Sequence, residues 1–150
     1  MTEAGTQLVL MDIDHLIKAD WNYKSDGTDE QIEKLCNSIK KDKSAGVLAI
    51  REMPDKKFEV IDGNHRFDAI KRLGWKKVPC ENFGEISLAD AIITARRRNS
   101  SWFEDNKLAL AKLFTDHVFE EYSKESLSEF MQETMQDLDA YEAMAKFDWE

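Results

Sequence analysis

With 150 residues, 42% of them hydrophobic and 10% aromatic, the chain is sized for one domain with a sizeable core plus a terminal appendage, and its composition excludes a fibrous or wholly disordered protein. The formal charge of −9 is unevenly placed: residues 1–115 hold 19 acidic and 19 basic side chains, whereas residues 116–150 hold 11 acidic ones against Lys124 and Lys146. A neutral body with an acidic end lacks the basic footprint through which duplex-DNA binders release counterions, so tight duplex binding is not expected.

Cys36 and Cys80 lie far apart and outside any CxxC spacing, and no apolar run follows Met1-Thr2-Glu3. Neither a disulfide framework, nor secretion, nor a membrane span is expected, and the cytoplasm is the default compartment.

In chain order, Gln7–Met11 reads as a short strand, and Thr28-Asp29-Glu30-Gln31 reads as a capping box. Ile32, Leu35, Cys36 and Ile39 follow at i, i+3, i+4, i+7 spacing, which predicts a first helix over about 29–41. Val47–Arg51 and Lys57–Ile61 are β-prone segments around Met53-Pro54-Asp55-Lys56, a hairpin signal with Pro and Asp in the turn. A helix follows and stops at Gly74. Lys77–Asn82 then returns as a short strand, expected at a sheet edge because Pro79 cannot donate to a ladder.

Further on, Ser87 can cap a helix carrying Leu88, Ala91, Ile92 and Ala95. A helix is predicted from about Asp105 to Tyr122, and Ser126 with Glu129 suggests a second capping box opening a helix through about Lys146. Residues 126–147 form an amphipathic acidic pattern, with Leu127, Met131, Leu138 and Tyr141 on one stripe. It can dock on its own domain, form a dimer seam or offer a groove-binding helix to a protein partner.

The most informative stretch is Val60-Ile61-Asp62-Gly63-Asn64-His65-Arg66. An apolar strand ends at an acidic residue and a glycine, and a helix opens with Asn, His and Arg in its first turn. Free backbone N–H groups, the positive end of the helix dipole and cationic side chains then converge on one point, which is the chemistry of an anion site, for phosphate in particular. The bland reading is a tight turn with Asn64 as helix cap. Asp62 can orient Arg66 or merely end the strand, and Asp68 suits the first helical turn whatever its role. Arg96-Arg97-Arg98 is in the first instance a solvated, dipole-favoured helix end, with phosphate contact as the sharper alternative.

Strand, helix, hairpin, helix, strand, helix, with Asp-Gly-Asn-His-Arg at the strand-to-helix turn, resembles the ParB/sulfiredoxin superfamily, specifically the ParB-like N-terminal domain. The matching blocks include Met11–Ile17, Gly46-Val47-Leu48, Glu59–Gly63, Arg66, Ala69, Leu73-Gly74 and Val78-Pro79, within roughly residues 7–115. The resemblance implies an α/β (α+β) fold: a small mixed sheet with surrounding helices over 1–115, followed by an acidic helical extension over 116–150. It also implies that Gly63, Asn64, His65 and Arg66 hold the phosphates of a nucleoside triphosphate, CTP or ATP, with Mg²⁺.

The sulfiredoxin nucleophile would fall at Asn64, and an amide is no nucleophile, so that activity is not expected. The family's second, magnesium-assisting box aligns from Arg98-Asn99 onward. With Arg98 in place of the acidic ligand, Asn99 is the residue left to serve it. Too few residues of the wrong charge follow for a groove-reading module, so a free-standing domain of the phage, plasmid or mobile-element type is expected, in the host cytoplasm if phage-encoded.

Three readings of function follow. The leading one is nucleotide binding with NTP hydrolysis, kinase-like phosphoryl transfer or nucleotide-gated switching; a kinase would need a base, for which Glu30 or Asp29 is the candidate. The second is a non-catalytic regulator or host-protein inhibitor acting through its surface and acidic helix. A DNA-associated nuclease comes third, for want of a compact carboxylate cluster.

Overall fold

The computed structural model describes residues 5–24, 27–98 and 106–147. Two compact units divide the chain: Met1–Asn22 with Asp26–Ile86, and Tyr23–Ser25 with Ser87–Glu150. The expected extension after residue 115 lies in the second unit, together with the preceding helices.

The first unit is built on strands β1 (Gln7–Asp12), β2 (Leu16–Lys18), β3 (Leu48–Glu52), β4 (Phe58–Asp62) and β5 (Lys77–Asn82), with helices α1 (Asp29–Asp42) and α2 (Asn64–Arg72). Thr28 caps α1 as its sequence announces: its hydroxyl accepts from the Gln31 amide at 3.1 Å, and the Gln31 side chain accepts from the Thr28 amide at 2.9 Å. Ile32, Leu35, Cys36 and Ile39 form the buried face of this helix. The hairpin between β3 and β4 is antiparallel, and β2 pairs with β4 in parallel.

The sheet order is β1-β5-β3-β4-β2, so β5 lies inside the sheet, antiparallel to β1 and parallel to β3. The edge expected for this strand from Pro79 is therefore corrected. Pairing with β3 starts at Leu48 opposite Cys80, one residue past the proline, so the missing N–H falls outside the segment that β3 shares. Phe67 and Ile70 of α2 join Leu48, Ile50, Val60, Val78 and Cys80 in the core of this unit.

The second unit is helical. Ser87 caps α3 (Leu88–Arg97) by accepting from the Asp90 amide. Asn106 caps α4 (Lys107–Leu113), and Asp105, the expected start, lies outside the described residues. The helical run continues through one wider π turn, Phe114–Val118, into α5 (Phe119–Glu121).

After that the expectation of one helix to Lys146 fails. Ser123, not Ser126, caps a short α6 (Lys124–Phe130), and a second helix, α7 (Met135–Lys146), opens with its own capping box at Thr134 and Asp137. The break has a local cause and a long-range one. Thr134 and Asp137 exchange two hydrogen bonds that stop a continuous ladder, and Glu133 between the helices is drawn inward to Arg96 at 2.6 Å and Tyr141 at 2.9 Å. Leu110, Phe114, Val118, Leu127 and Leu138 are buried together in this unit, so the apolar stripe of the acidic segment faces inward. No helix of the described residues is long and apolar enough to cross a membrane.

Candidate functional site

The junction of β4 and α2 is a glycine held where other residues are strained. Gly63 has φ +103°, and a Cβ placed on it would sit 2.5 Å from Leu48 Cδ2 and 3.2 Å from Arg66 Nη2. The first bond of the helix runs from the Phe67 amide to the Gly63 carbonyl at 2.7 Å. The amides of Asn64, His65 and Arg66 precede that ladder and point out of the positive end of the helix, whose first turn carries no acidic residue.

Arg66 lies across this turn. Its Nη1 donates to the Ala45 carbonyl at 3.0 Å and its Nη2 to Asp62 Oδ2 at 3.3 Å. A Cβ on Gly46, whose φ is +69°, would come within 2.9 Å of Nη1. Two glycine turns thus flank one guanidinium, and Arg66 ties the loop before β3 to the end of β4. This tie was not legible in sequence, where Gly46 matched a family block without a partner; small Ser44-Ala45-Gly46 is the signal that was there to read.

Asn64 is turned the other way. Its side chain is buried, donating to the Val60 carbonyl at 2.9 Å and accepting from the Ala19 amide at 3.2 Å, so it fastens β2 to β4 and offers the turn only its backbone. His65 is half-buried at the second helical position. Asp68 is held by Lys18 at 2.8 Å, a sufficient structural reason for it. Glu30 is largely exposed in the first turn of α1 and pairs with Lys34 at 3.6 Å, while its neighbour Asp29 reaches Arg72 in the last turn of α2.

Arg98 ends α3 in the helical unit, its amide donating to the Thr94 carbonyl at 3.1 Å. Asn99 lies outside the described residues. Among the described residues, no three His, Cys, Asp or Glu side chains converge as metal ligands would. Both cysteines are buried, and burial pushes the Cys80 thiol up to about 11, far from the thiolate a nucleophile requires.

Two buried charge clusters escaped sequence reasoning. Arg51 and Glu59, cross-strand partners in the hairpin, pair at 2.8 Å, and Trp21 Nε1 donates to the same carboxylate oxygen at 2.9 Å. In the helical unit, Arg96, Glu133 and Tyr141 stand in the wall of a cleft of about 400 Å³ that Lys107, Asp137 and Met144 also line. Burial and the adjacent Glu133 carboxylate push the Tyr141 hydroxyl above the usual phenol range.

A five-stranded mixed sheet whose β4 turns through a positive-φ glycine into an arginine-bearing helix defines a ParB/sulfiredoxin-like domain. The family model for the ParB N-terminal domain matches residues 1–99, and the chain belongs to that family. The nucleoid occlusion protein of Bacillus cereus (strain AH187) is 32% identical over 92 residues, which cover 59% of this chain and 32% of that protein. The corresponding Geobacillus sp. (strain WCH70) protein is also 32% identical, with 33% of its length covered. The chain therefore spans about a third of the length of these curated relatives.

Among solved structures, the C-terminally truncated chromosome-partitioning protein ParB from Caulobacter crescentus, complexed to the centromeric parS site, superposes with a TM-score of 0.61 at 20% identity, over 89% of this chain and 69% of that one. The same protein complexed with CTP-gamma-S gives 0.53 at 20% identity, over 90% and 76%. Coverage of that extent reaches past residue 99, so the likeness of fold takes in helical residues beyond the family-model match.

Proposed function

We propose that this chain is a nucleotide-binding ParB-like domain that holds the phosphates of a nucleoside triphosphate, CTP or ATP, with Mg²⁺, at the Gly63–Arg66 turn. The observation that carries the reading is the turn itself: a helix start in which position 63 has no room for a side chain, with a guanidinium lying against it. The Gly63 and Asn64 amides serve as the cradle, and His65 and Arg66 neutralise charge. The ParB complex with CTP-gamma-S supports the choice of ligand class. With no carboxylate cluster among the described residues to hold it, Mg²⁺ would take its oxygens chiefly from phosphate and water, with Asn99 as the ligand expected from the chain.

Positioning and charge neutralisation are most of what phosphoryl transfer asks of a protein, so the turn suits slow hydrolysis or a nucleotide-gated switch. Duplex DNA is not the expected partner, because residues 87–150 hold 14 acidic side chains against seven basic ones. The competing reading, a regulator acting through its acidic helix, must use the exposed charged face, since Leu127 and Leu138 are buried inside the helical unit.

Calorimetric titration with CTP and ATP, with and without Mg²⁺, tests the proposal. Binding to the wild type is expected, and Arg66→Ala should weaken it more than tenfold through loss of a charge-assisted contact of roughly 1.5–3 kcal/mol. Absence of heat at millimolar nucleotide in the wild type would remove the reading and favour the regulator.

A further inference from the structure

Arg66 is already facing an anion, and that anion belongs to the protein. Asp62 Oδ2 stands 3.3 Å from Nη2, and the side chains are 16% and 28% exposed, so the pair is screened less than a surface ion pair one helical turn long would be. The other end of the guanidinium is taken by the Ala45 carbonyl at 3.0 Å. Gly46 and Gly63 close on it from two sides, which leaves the guanidinium little freedom to swing away from the carboxylate. Any phosphate that meets Arg66 therefore also meets the Asp62 carboxylate, as a like charge in a partly desolvated corner.

We propose that Asp62 is a specificity-determining residue of the turn, selecting phosphate chains that arrive with a divalent cation over metal-free ones. The inference rests on the phosphate-binding reading above. A bare pyrophosphate or nucleotide competes with Asp62 for the guanidinium and is repelled by it. A Mg²⁺-bound chain carries less charge, and its cation turns the same carboxylate from a repelling group into an attracting one, directly or through a coordinated water. The selectivity comes from one acidic side chain placed immediately before the glycine, with no cluster of metal ligands needed.

Asp62→Asn tests this with little change of shape, because the amide oxygen can still accept from Arg66 Nη2 while the charge is lost. The probes are CTP and inorganic pyrophosphate, titrated calorimetrically against wild type, Asp62→Asn and Asp68→Asn, each in EDTA and in Mg²⁺. Asp68 lies in α2, beyond the turn, is occupied by Lys18, and controls for general loss of negative charge.

The expected result is a three- to tenfold gain in metal-free affinity for Asp62→Asn, on the order of one interaction of a partly exposed ion pair. The ratio of Mg²⁺ to EDTA affinity should shrink by at least as much, and Asp68→Asn should follow the wild type. Wild type that binds while Asp62→Asn gains nothing, or loses affinity in both conditions, overturns the inference and makes Asp62 a mere support for Arg66, with the phosphate reading intact. An equal gain in Asp68→Asn overturns it as a general charge effect. Wild type that binds neither probe in either condition overturns the phosphate reading and this inference with it.

Discussion

Replacing Gly63 by alanine should be one of the most costly single-methyl additions in the sheet unit, and its two components can be separated. The first is conformational: at φ +103° a residue with a Cβ meets its own backbone, at about 1–2 kcal/mol. The second is steric, because the new methyl would lie 2.5 Å from Leu48 Cδ2, well inside contact distance, and Leu48 is wholly buried. Leu48 must leave its rotamer or push on its neighbours, which in a packed core costs about 1–3 kcal/mol. Together these reach about 2–5 kcal/mol, a large share of the 5–15 kcal/mol by which a domain is usually stable.

Gly74 supplies the control. Its φ is +76°, and a Cβ there meets nothing within 4 Å, so Gly74→Ala should show the conformational component alone, about 1–2 kcal/mol. Urea unfolding followed by far-ultraviolet circular dichroism, extrapolated linearly to water, gives both values. If Gly63→Ala costs no more than Gly74→Ala, the close approach of Leu48 is not a constraint on position 63, and the argument that this turn has no room for a side chain fails.

Three further outcomes follow from the same structure. Ser123→Ala should cost about 1 kcal/mol in thermal stability while Ser126→Ala stays within about 0.5 kcal/mol, because the Ser123 hydroxyl is the one that accepts from the helix, and the reverse order would place the cap where the S-x-x-E pattern put it. Glu59→Ala leaves Arg51 buried without its carboxylate and takes the acceptor from Trp21, so a loss of about 3–5 kcal/mol is expected in denaturant unfolding, and a loss under 1 kcal/mol would show the pair to be solvated. Leu138→Asp puts an unpaired charge at a fully buried position of α7 and should cost upward of about 3 kcal/mol, read as a lowered melting temperature; an unchanged melt would mean the helix does not pack within its own unit.

What could be read from the sequence follows from how far apart the interacting groups lie. Thr28 and Gln31 are three residues apart, and their capping box needs nothing else to form, so the start of α1 was legible to within a residue. The β4–α2 junction was legible for the same reason, since strand, glycine and helix are consecutive. The place of β5 was not, because it depends on a parallel pairing with β3 some 30 residues earlier, and the effect of Pro79 depends on which side and which residues that pairing uses. Ser126-x-x-Glu129 carries the capping-box pattern, yet the helix breaks further on, where Glu133 is drawn to Arg96, 37 residues away and without a local signature. At the candidate site Gly63 to Arg66 are consecutive and could be named as a group from their order alone, but the bond from Arg66 to Ala45 spans 21 residues and had no local signature.

That bond changes how any effect of Arg66 on ligand binding must be read. Arg66 joins the loop at Ala45 to the strand end at Asp62, so removing it loosens the two glycine turns whether or not a phosphate is ever present. Lysine cannot stand in for it, because a single ammonium on a flexible stem cannot serve the Ala45 carbonyl and the Asp62 carboxylate in the fixed fork that a guanidinium provides. A weakened titration of Arg66→Ala alone therefore mixes lost contact with lost shape. Asp62→Asn keeps the fork, changes only charge and is expected to move affinity upward. A disordered turn can mimic the first result and cannot produce the second, so a gain of affinity at position 62 is what makes a loss at position 66 evidence for a phosphate site.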